Sequence, residues 1–188
     1  MPIIDHFGLI APYYDHAIPL RLVEQFIRML ELPVAGKLLD VGGGTGRVAK
    51  VFIGQASQVI VVDSSMGMLS QAKSKNGLGL ICSQSESLPF PDEYFDRVVM
   101  VDALHHVRDQ QVSAGEIWRV VKPGGLVVIL EPDIRRFAVK LVAFFEKVLL
   151  MRSHFLSAEQ ITRLFRFSDA TSSIIEDGFN AWVCIRKN

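Results

Sequence analysis

Apolar residues along this chain fall into short, nearly continuous runs separated by stretches with helical spacing, a pattern that predicts alternating strands and helices. Strands are expected at residues 37–41, 58–62, 78–82, 95–101 and 126–131, with helical stretches at 46–53, 65–75 and 109–121 between most of them. Continuity of the apolar runs, rather than polar alternation, is what strands covered on both faces require. Strand and helix taking turns argues for parallel pairing through right-handed crossovers. A leading helix over 19–31 places Leu22, Val23, Phe26, Ile27 and Leu30 on one face. Asn76-Gly77 and Pro123-Gly124-Gly125 punctuate helix ends.

The last third departs from this alternation. Thr171–Glu176 and Phe179–Arg186 are strand-like runs on either side of Asp177-Gly178, which reads as a β-hairpin. Ahead of it, Ser157 and Gln160 form a capping-box pattern, and Ile161, Leu164 and Phe165 give an amphipathic helix. The segment Arg135–Arg152 mixes twelve apolar residues with Arg135, Arg136, Lys140, Lys147 and Arg152, against Glu146 alone. It is too short and too charged to span a membrane. Three readings stay open: a helix covering the sheet, a lid over an apolar substrate, or a peripheral membrane contact.

The densest chemistry lies in Leu38-Leu39-Asp40-Val41-Gly42-Gly43-Gly44-Thr45-Gly46, where an apolar strand runs straight into a glycine-rich turn expected to open a helix near Thr45. Residues without side chains let backbone N–H groups approach a ligand, and a helix N-terminus adds a positive field. A triphosphate loop is excluded because no Lys-Ser or Lys-Thr follows the glycines. The dinucleotide spacing matches Gly42 and Gly44 but meets Arg47 where close helix packing asks for Gly or Ala. What remains is Asp-x-Gly-x-Gly-x-Gly, read at Asp40, Gly42, Gly44 and Gly46.

Val59-Ile60-Val61-Val62 ends in Asp63, 21 positions after Gly42. An acidic residue at the tip of the second strand lies beside the glycine turn and can accept from both hydroxyls of a ribose. The competing reading is that Asp63 only caps a helix starting near Ser64 or Ser65.

At this point the chain resembles the class I S-adenosylmethionine-dependent methyltransferases, and among them the ubiquinone/menaquinone methyltransferase-like group. Ala11-Pro12-Tyr13-Tyr14-Asp15 is similar to that family's N-terminal cap, Leu38–Gly46 to its cofactor loop and Asp63 to its ribose carboxylate. The match continues through Glu86–Asp92, Phe95-Asp96, Leu104-His105-His106-Val107 and Lys122-Pro123-Gly124-Gly125. The resemblance implies a doubly wound, seven-stranded α/β sheet, mostly parallel with an antiparallel C-terminal hairpin strand, in a Rossmann-like fold. The chain length fits one domain over residues 1–188, with the cap at 1–31 and, in the lid reading, an insertion at 132–156. The resemblance also implies S-adenosylmethionine as cofactor, with Tyr14, Asp40, Gly42, Gly43, Gly44, Gly46, Asp63, Ser64, Met66, Gln84, Ser85, Glu86, Asp102 and His106 around it.

One departure stands out. Where the family places an acidic residue two positions before Glu86, to accept from the adenine amino group, this chain has Gln84. Its amide oxygen still accepts, and adenine recognition then leans on backbone around Ser85 and packing against Met66.

Methyl transfer asks the protein mainly to position and desolvate, which can contribute about 7–11 kcal/mol without a protein nucleophile. A base is needed only if the acceptor loses a proton, and His105 and His106, after the fourth strand, are the candidates. The competing reading is a packed or backbone-bonded histidine. Asp102 and Glu131 end strands on the same side, where they touch ligand or cap a turn, and Asp96 is expected to fix a strand entrance. Tyr13, Tyr14 and His16 are expected to close over the cofactor if the N-terminal segment folds back.

Composition narrows the classes without choosing among them. The 188 residues carry equal acidic and basic counts, which argues against a large nucleic-acid surface. Cys82 and Cys184 both sit in apolar runs and read as buried thiols rather than a disulfide or metal pair. Residues 1–6 lack a basic n-region, so a cytoplasmic location is expected, despite a mean hydropathy of +0.29. A small acceptor is favoured because Asn-Pro-Pro-Tyr and Asp-Pro-Pro-Tyr loops are missing, and the cationic apolar segment Arg135–Arg152 tilts the reading toward an apolar or amphipathic one, quinol-like or lipid-like. Two other classes stay open: a non-catalytic cofactor-binding or regulatory protein, and a nicotinamide oxidoreductase, which Arg47 and the terminal hairpin oppose.

Overall fold

The computed structural model describes residues 23–135 and 153–188. The cap segment with Tyr13, Tyr14 and His16, residues 19–22 of the expected leading helix, and all but the first residue of Arg135–Arg152 lie outside the described residues.

Among those residues the order is α1 (Val23–Met29), β1 (Lys37–Val41), β2 (Gln58–Asp63), α2 (Met66–Ala72), β3 (Leu78–Cys82), β4 (Phe95–Val101), α3 (Gln110–Val120), β5 (Val121–Pro132), α4 (Ala158–Leu164), β6 (Ala170–Asp177) and β7 (Asn180–Lys187). The strands form one seven-stranded sheet in the order β3-β2-β1-β4-β5-β7-β6. The first five are parallel, while β7 runs antiparallel to β5 and to β6. The doubly wound sheet with an antiparallel hairpin is therefore observed.

The continuous apolar runs are explained by burial on both faces. Along β1 and β2, Leu39, Val41, Ile60 and Val62 face one core with Ile117, Trp118, Ile161 and Phe165 of α3, α4 and the residue after it. Leu38, Val59 and Val61 face the other, with Phe26, Leu30 and Phe52. That is the two-residue period of a strand, with both sets apolar. Phe26 meets Trp182 edge-on at 4.9 Å between ring centres, which ties α1 to the hairpin.

The helix starts follow local chemistry. Ser157 accepts from the Gln160 backbone N–H while the Gln160 side chain accepts from the Ser157 N–H, completing the box that starts α4. Asp109 accepts from Val112 N at 3.0 Å and starts α3. Lys122–Gly125 leave the ladder, since Phe95 pairs with Val121 and Arg97 with Leu126.

Two expectations are corrected here. Residues 44–48 form turns followed by a 3-10 helix of four residues, Ala49–Phe52, so the expected helix over 46–53 is not an α-helix. An element that short aligns few peptide dipoles, and any positive field at the loop comes from individual N–H groups. Cys82, expected to be buried, is exposed at the end of the edge strand β3, while Cys184 is half-buried.

Candidate active site

The chain runs from β1 outward through β2 and β3, then returns to the other side of β1 with β4. Such a switch point leaves a crevice between the loops that follow the two central strands. Here the crevice is a cavity of about 480 Å³. That is within the range of small-ligand sites, about 300–1,000 Å³.

The glycine loop forms its floor. Gly42, Gly44 and Gly46 have φ of +69°, +56° and +70°, a region that favours glycine. A Cβ on Gly42 would stand 2.6 Å from the Ala103 methyl, and one on Gly43 would stand 2.6 Å from Asp40 Oδ2. Gly44 has nothing closer than 3.8 Å, because its open side is the cavity. Gly46 is a correction: it is not on the lining, and a Cβ there would meet Leu78 Cδ1 at 2.8 Å. Its missing side chain serves packing against β3.

Asp63 lies on the cavity wall and is not the cap of the following helix. Oδ2 accepts from Gly44 N and Oδ1 from Ser65 N, each at 2.8 Å, so the carboxylate clamps the glycine loop to the tip of β2 while facing the cavity. The cap of α2 itself is Ser65, which accepts from Met68 N.

Two further carboxyls meet at this end. Asp40 is 1% exposed, and its Oδ2 has no hydrogen-bond partner among the described residues. Burial, and then the nearby Asp63 charge, push its carboxyl up to about 7 against the opposing pull of Arg47 and the Ala49 N–H. Asp102 follows β4 with φ of +50°, a strained backbone for a non-glycine residue, and burial together with Glu131 raises its carboxyl to about 6. An orphaned buried carboxylate oxygen beside a cradle that only glycine can form fits the cationic amino-acid end of a sulfonium nucleoside.

The expected pair of histidines is split. His106 lines the cavity, with Nδ1 at 3.2 Å from the Ser153 hydroxyl. Burial, reinforced by His105, lowers its pKa to about 3, which keeps the imidazole neutral. His105 does not reach the cavity: it is 5% exposed, bonded to Glu131 and stacked on Phe155. A 3-10 turn over Leu104–His106 rotates successive side chains by about 120°, so neighbours cannot share one wall. Glu131 takes its turn-capping role, and Asp96 fixes the entrance of β1 by accepting from Lys37 N at 2.9 Å.

Ser64, Gln84, Ser85 and Glu86 line the opposite side of the cavity. Glu86 is committed to the backbone, accepting from Arg108 N and Asp109 N. Ser85 Oγ shares a 2.6 Å hydrogen bond with Ser113. Met66, expected against adenine, is 57% exposed and off the lining, whereas the buried Met68 is on it. Tyr14 lies outside the described residues. Arg47, Val48, Met68, Val107, Arg108 and His154 are also on the wall without having been singled out as ligands. Only the glycine spacing could have flagged Arg47 and Val48.

With this geometry in place, comparison with known proteins is informative. Residues 39–129 match the family described as Methyltransferase domain. The ubiquinone/menaquinone biosynthesis C-methyltransferase UbiE of Coxiella burnetii is 34% identical over 115 residues, 56% of this chain and 46% of that protein. The chain spans about half the length of the curated relatives it matches. Among solved structures, an S-adenosylmethionine-dependent methyltransferase of Thermotoga maritima superposes with a TM-score of 0.76 at 22% identity, covering 97% of this chain and 98% of that one. The [4+2]-cyclase SpnF superposes with a TM-score of 0.77 at 17% identity, over 96% of this chain and 93% of that one. At these identities the structures speak for the fold alone. The domain match and the UbiE likeness carry the comparison: the chain is similar to the class I S-adenosylmethionine-dependent methyltransferases of the UbiE-like type.

Proposed function

We propose that this protein transfers a methyl group from S-adenosylmethionine to a small, apolar or amphipathic acceptor bound in the same cavity. The observation that carries the reading is the convergence of the Gly42–Gly44 floor, the Asp63 clamp and the orphaned Asp40 oxygen on one crevice. When bound, the cofactor supplies a methyl carbon on a sulfonium, taken by the acceptor in an in-line displacement from which a neutral thioether leaves.

In this reading Asp63 holds the ribose hydroxyls with charged hydrogen bonds, each worth about 1.5–3 kcal/mol. Gln84 and the backbone at Ser85 hold adenine, while Asp40 and Asp102 hold the α-ammonium. Neutral His106, too weak a base to keep a proton near pH 7, accepts a hydrogen bond from the acceptor and orients it, and Ser153 fixes its ring. Met100, Val101 and Val107 on the wall exclude water and favour an apolar acceptor. The likeness to the Coxiella burnetii ubiquinone/menaquinone biosynthesis C-methyltransferase supports a quinol-like compound.

Among the described residues no helix is long and apolar enough to cross a membrane. The test is a panel of quinols, phenols and lipids incubated with S-adenosylmethionine, reading S-adenosylhomocysteine. Turnover with one class, lost in His106→Ala while cofactor binding persists, is expected. Cofactor binding with no turnover on any class would favour a non-catalytic binding protein instead.

A further inference from the structure

Arg47 follows the glycine loop by one residue, and its side chain, 10% exposed, stands on the cavity wall. A guanidinium cannot shed its charge, so burying it costs several kcal/mol unless anions face it. Nη2 stands 4.0 Å from Asp102 Oδ2, within ion-pair reach but beyond hydrogen-bond length. Arg47 also lies close enough to Asp40 to pull that carboxyl down against burial. One guanidinium thus faces two carboxyls across a site open to a ligand.

Charge complementarity says what fits there. With both carboxyls ionised this end carries one guanidinium against two carboxylates, so an α-ammonium that takes over the carboxylates frees the guanidinium. The α-carboxylate brought in alongside the ammonium then needs that cation. Arg108, the other arginine on the wall, is exposed and sits on the far loop between β4 and α3. Arg47 is beside the loop that cradles the ligand, and its planar fork matches a carboxylate through two parallel bonds.

We propose that Arg47 receives the α-carboxylate of the cofactor's methionine end, exchanging its loose contact with Asp102, which then shares the α-ammonium with Asp40. This rests on the S-adenosylmethionine reading of the cavity. The Arg47–Asp102 pair holds the place of the amino-acid zwitterion until the ligand arrives, so Arg47 discriminates ligands with an amino-acid end from nucleosides without one.

Isothermal titration with two ligands tests this without any acceptor. S-adenosylhomocysteine carries the amino-acid end, and 5′-methylthioadenosine is a nucleoside thioether lacking it. Arg47→Gln is expected to weaken S-adenosylhomocysteine by about ten- to a hundredfold, the range of a lost charged contact, and to leave methylthioadenosine within about twofold. Arg47→Lys, which keeps the charge without the fork, recovers part of the loss. If Arg47→Gln fails to fold, judged by its circular-dichroism melt, Arg47→Lys must still show a smaller loss confined to S-adenosylhomocysteine. Equal weakening of both ligands, or of neither, overturns the proposal while leaving the cofactor reading intact. Failure of the wild-type protein to bind either ligand overturns both.

Discussion

Glu131 Oε2 stands 2.5 Å from His105 Nδ1 behind the cavity, and Oε1 of the same carboxylate accepts from Ala103 N at 2.9 Å and Leu104 N at 2.8 Å. One buried side chain at the end of β5 therefore fixes the turn that carries His106 to the cavity wall. Glu131→Ala leaves three buried donors without a partner and is expected to cost about 3–5 kcal/mol. Glu131→Gln keeps an acceptor oxygen and should cost less than half of that. Urea denaturation curves check both values.

The raised carboxyls at Asp40, near 7, and Asp102, near 6, give the protein a pH signature. In the unfolded chain both ionise near an ordinary value of about 4, whereas the folded chain keeps their protons longer. The folded state binds more protons across that window, so the stability of the ligand-free protein falls as pH rises from about 4 to about 7. Cofactor binding has the opposite sign, because its cationic end needs ionised carboxylates. Melting temperatures measured across that range should fall without ligand, while the increment added by S-adenosylmethionine grows. Asp40→Asn should flatten most of the first trend.

Gly43 and Gly44 should respond differently to alanine. At Gly43 the added carbon meets Asp40 Oδ2 at 2.6 Å and Val61 Cγ1 at 2.9 Å, so the core must shift, at about 1–3 kcal/mol. At Gly44 it meets only the φ penalty, about 1–2 kcal/mol, but projects where the ligand lies. Gly44→Ala is thus expected to fold and to bind S-adenosylmethionine at least tenfold more weakly. Thermal melts together with titration separate the two effects.

Gln84 lies on the cavity wall and Met66 does not. Gln84→Ala should weaken S-adenosylmethionine several-fold and Met66→Ala should leave it unchanged. Unchanged binding in Gln84→Ala removes that side chain from the site.

Most of the sheet is legible in the chain because parallel strands buried on both faces leave long β-branched runs. The runs at 37–41, 78–82 and 95–101 coincide with β1, β3 and β4. Asp63 and the glycine loop are legible because both sit at fixed offsets from strand ends. Met66 is misplaced for a local reason: Ser64 and Ser65 are adjacent candidate caps, and the choice of Ser65 sets the rotation of α2 and turns Met68 inward. Arg47 reads as a residue that spoils one motif, whereas its burial beside Asp102 depends on two strands coming together. His154 reaches the cavity from more than forty residues beyond β4, its N–H bonded to His105 O at 2.7 Å, and no spacing in the chain encodes that contact.

The central claim, that Asp63 and the glycine loop hold one sulfonium nucleoside, is tested most directly by calorimetric titration of S-adenosylmethionine into wild-type protein and Asp63→Ala, with NADH as the competing ligand. The account predicts one S-adenosylmethionine per chain, at least tenfold weaker binding in Asp63→Ala from loss of charged hydrogen bonds worth about 1.5–3 kcal/mol each, and no NADH binding. S-adenosylmethionine failing to bind, or binding equally well to Asp63→Ala, would contradict it.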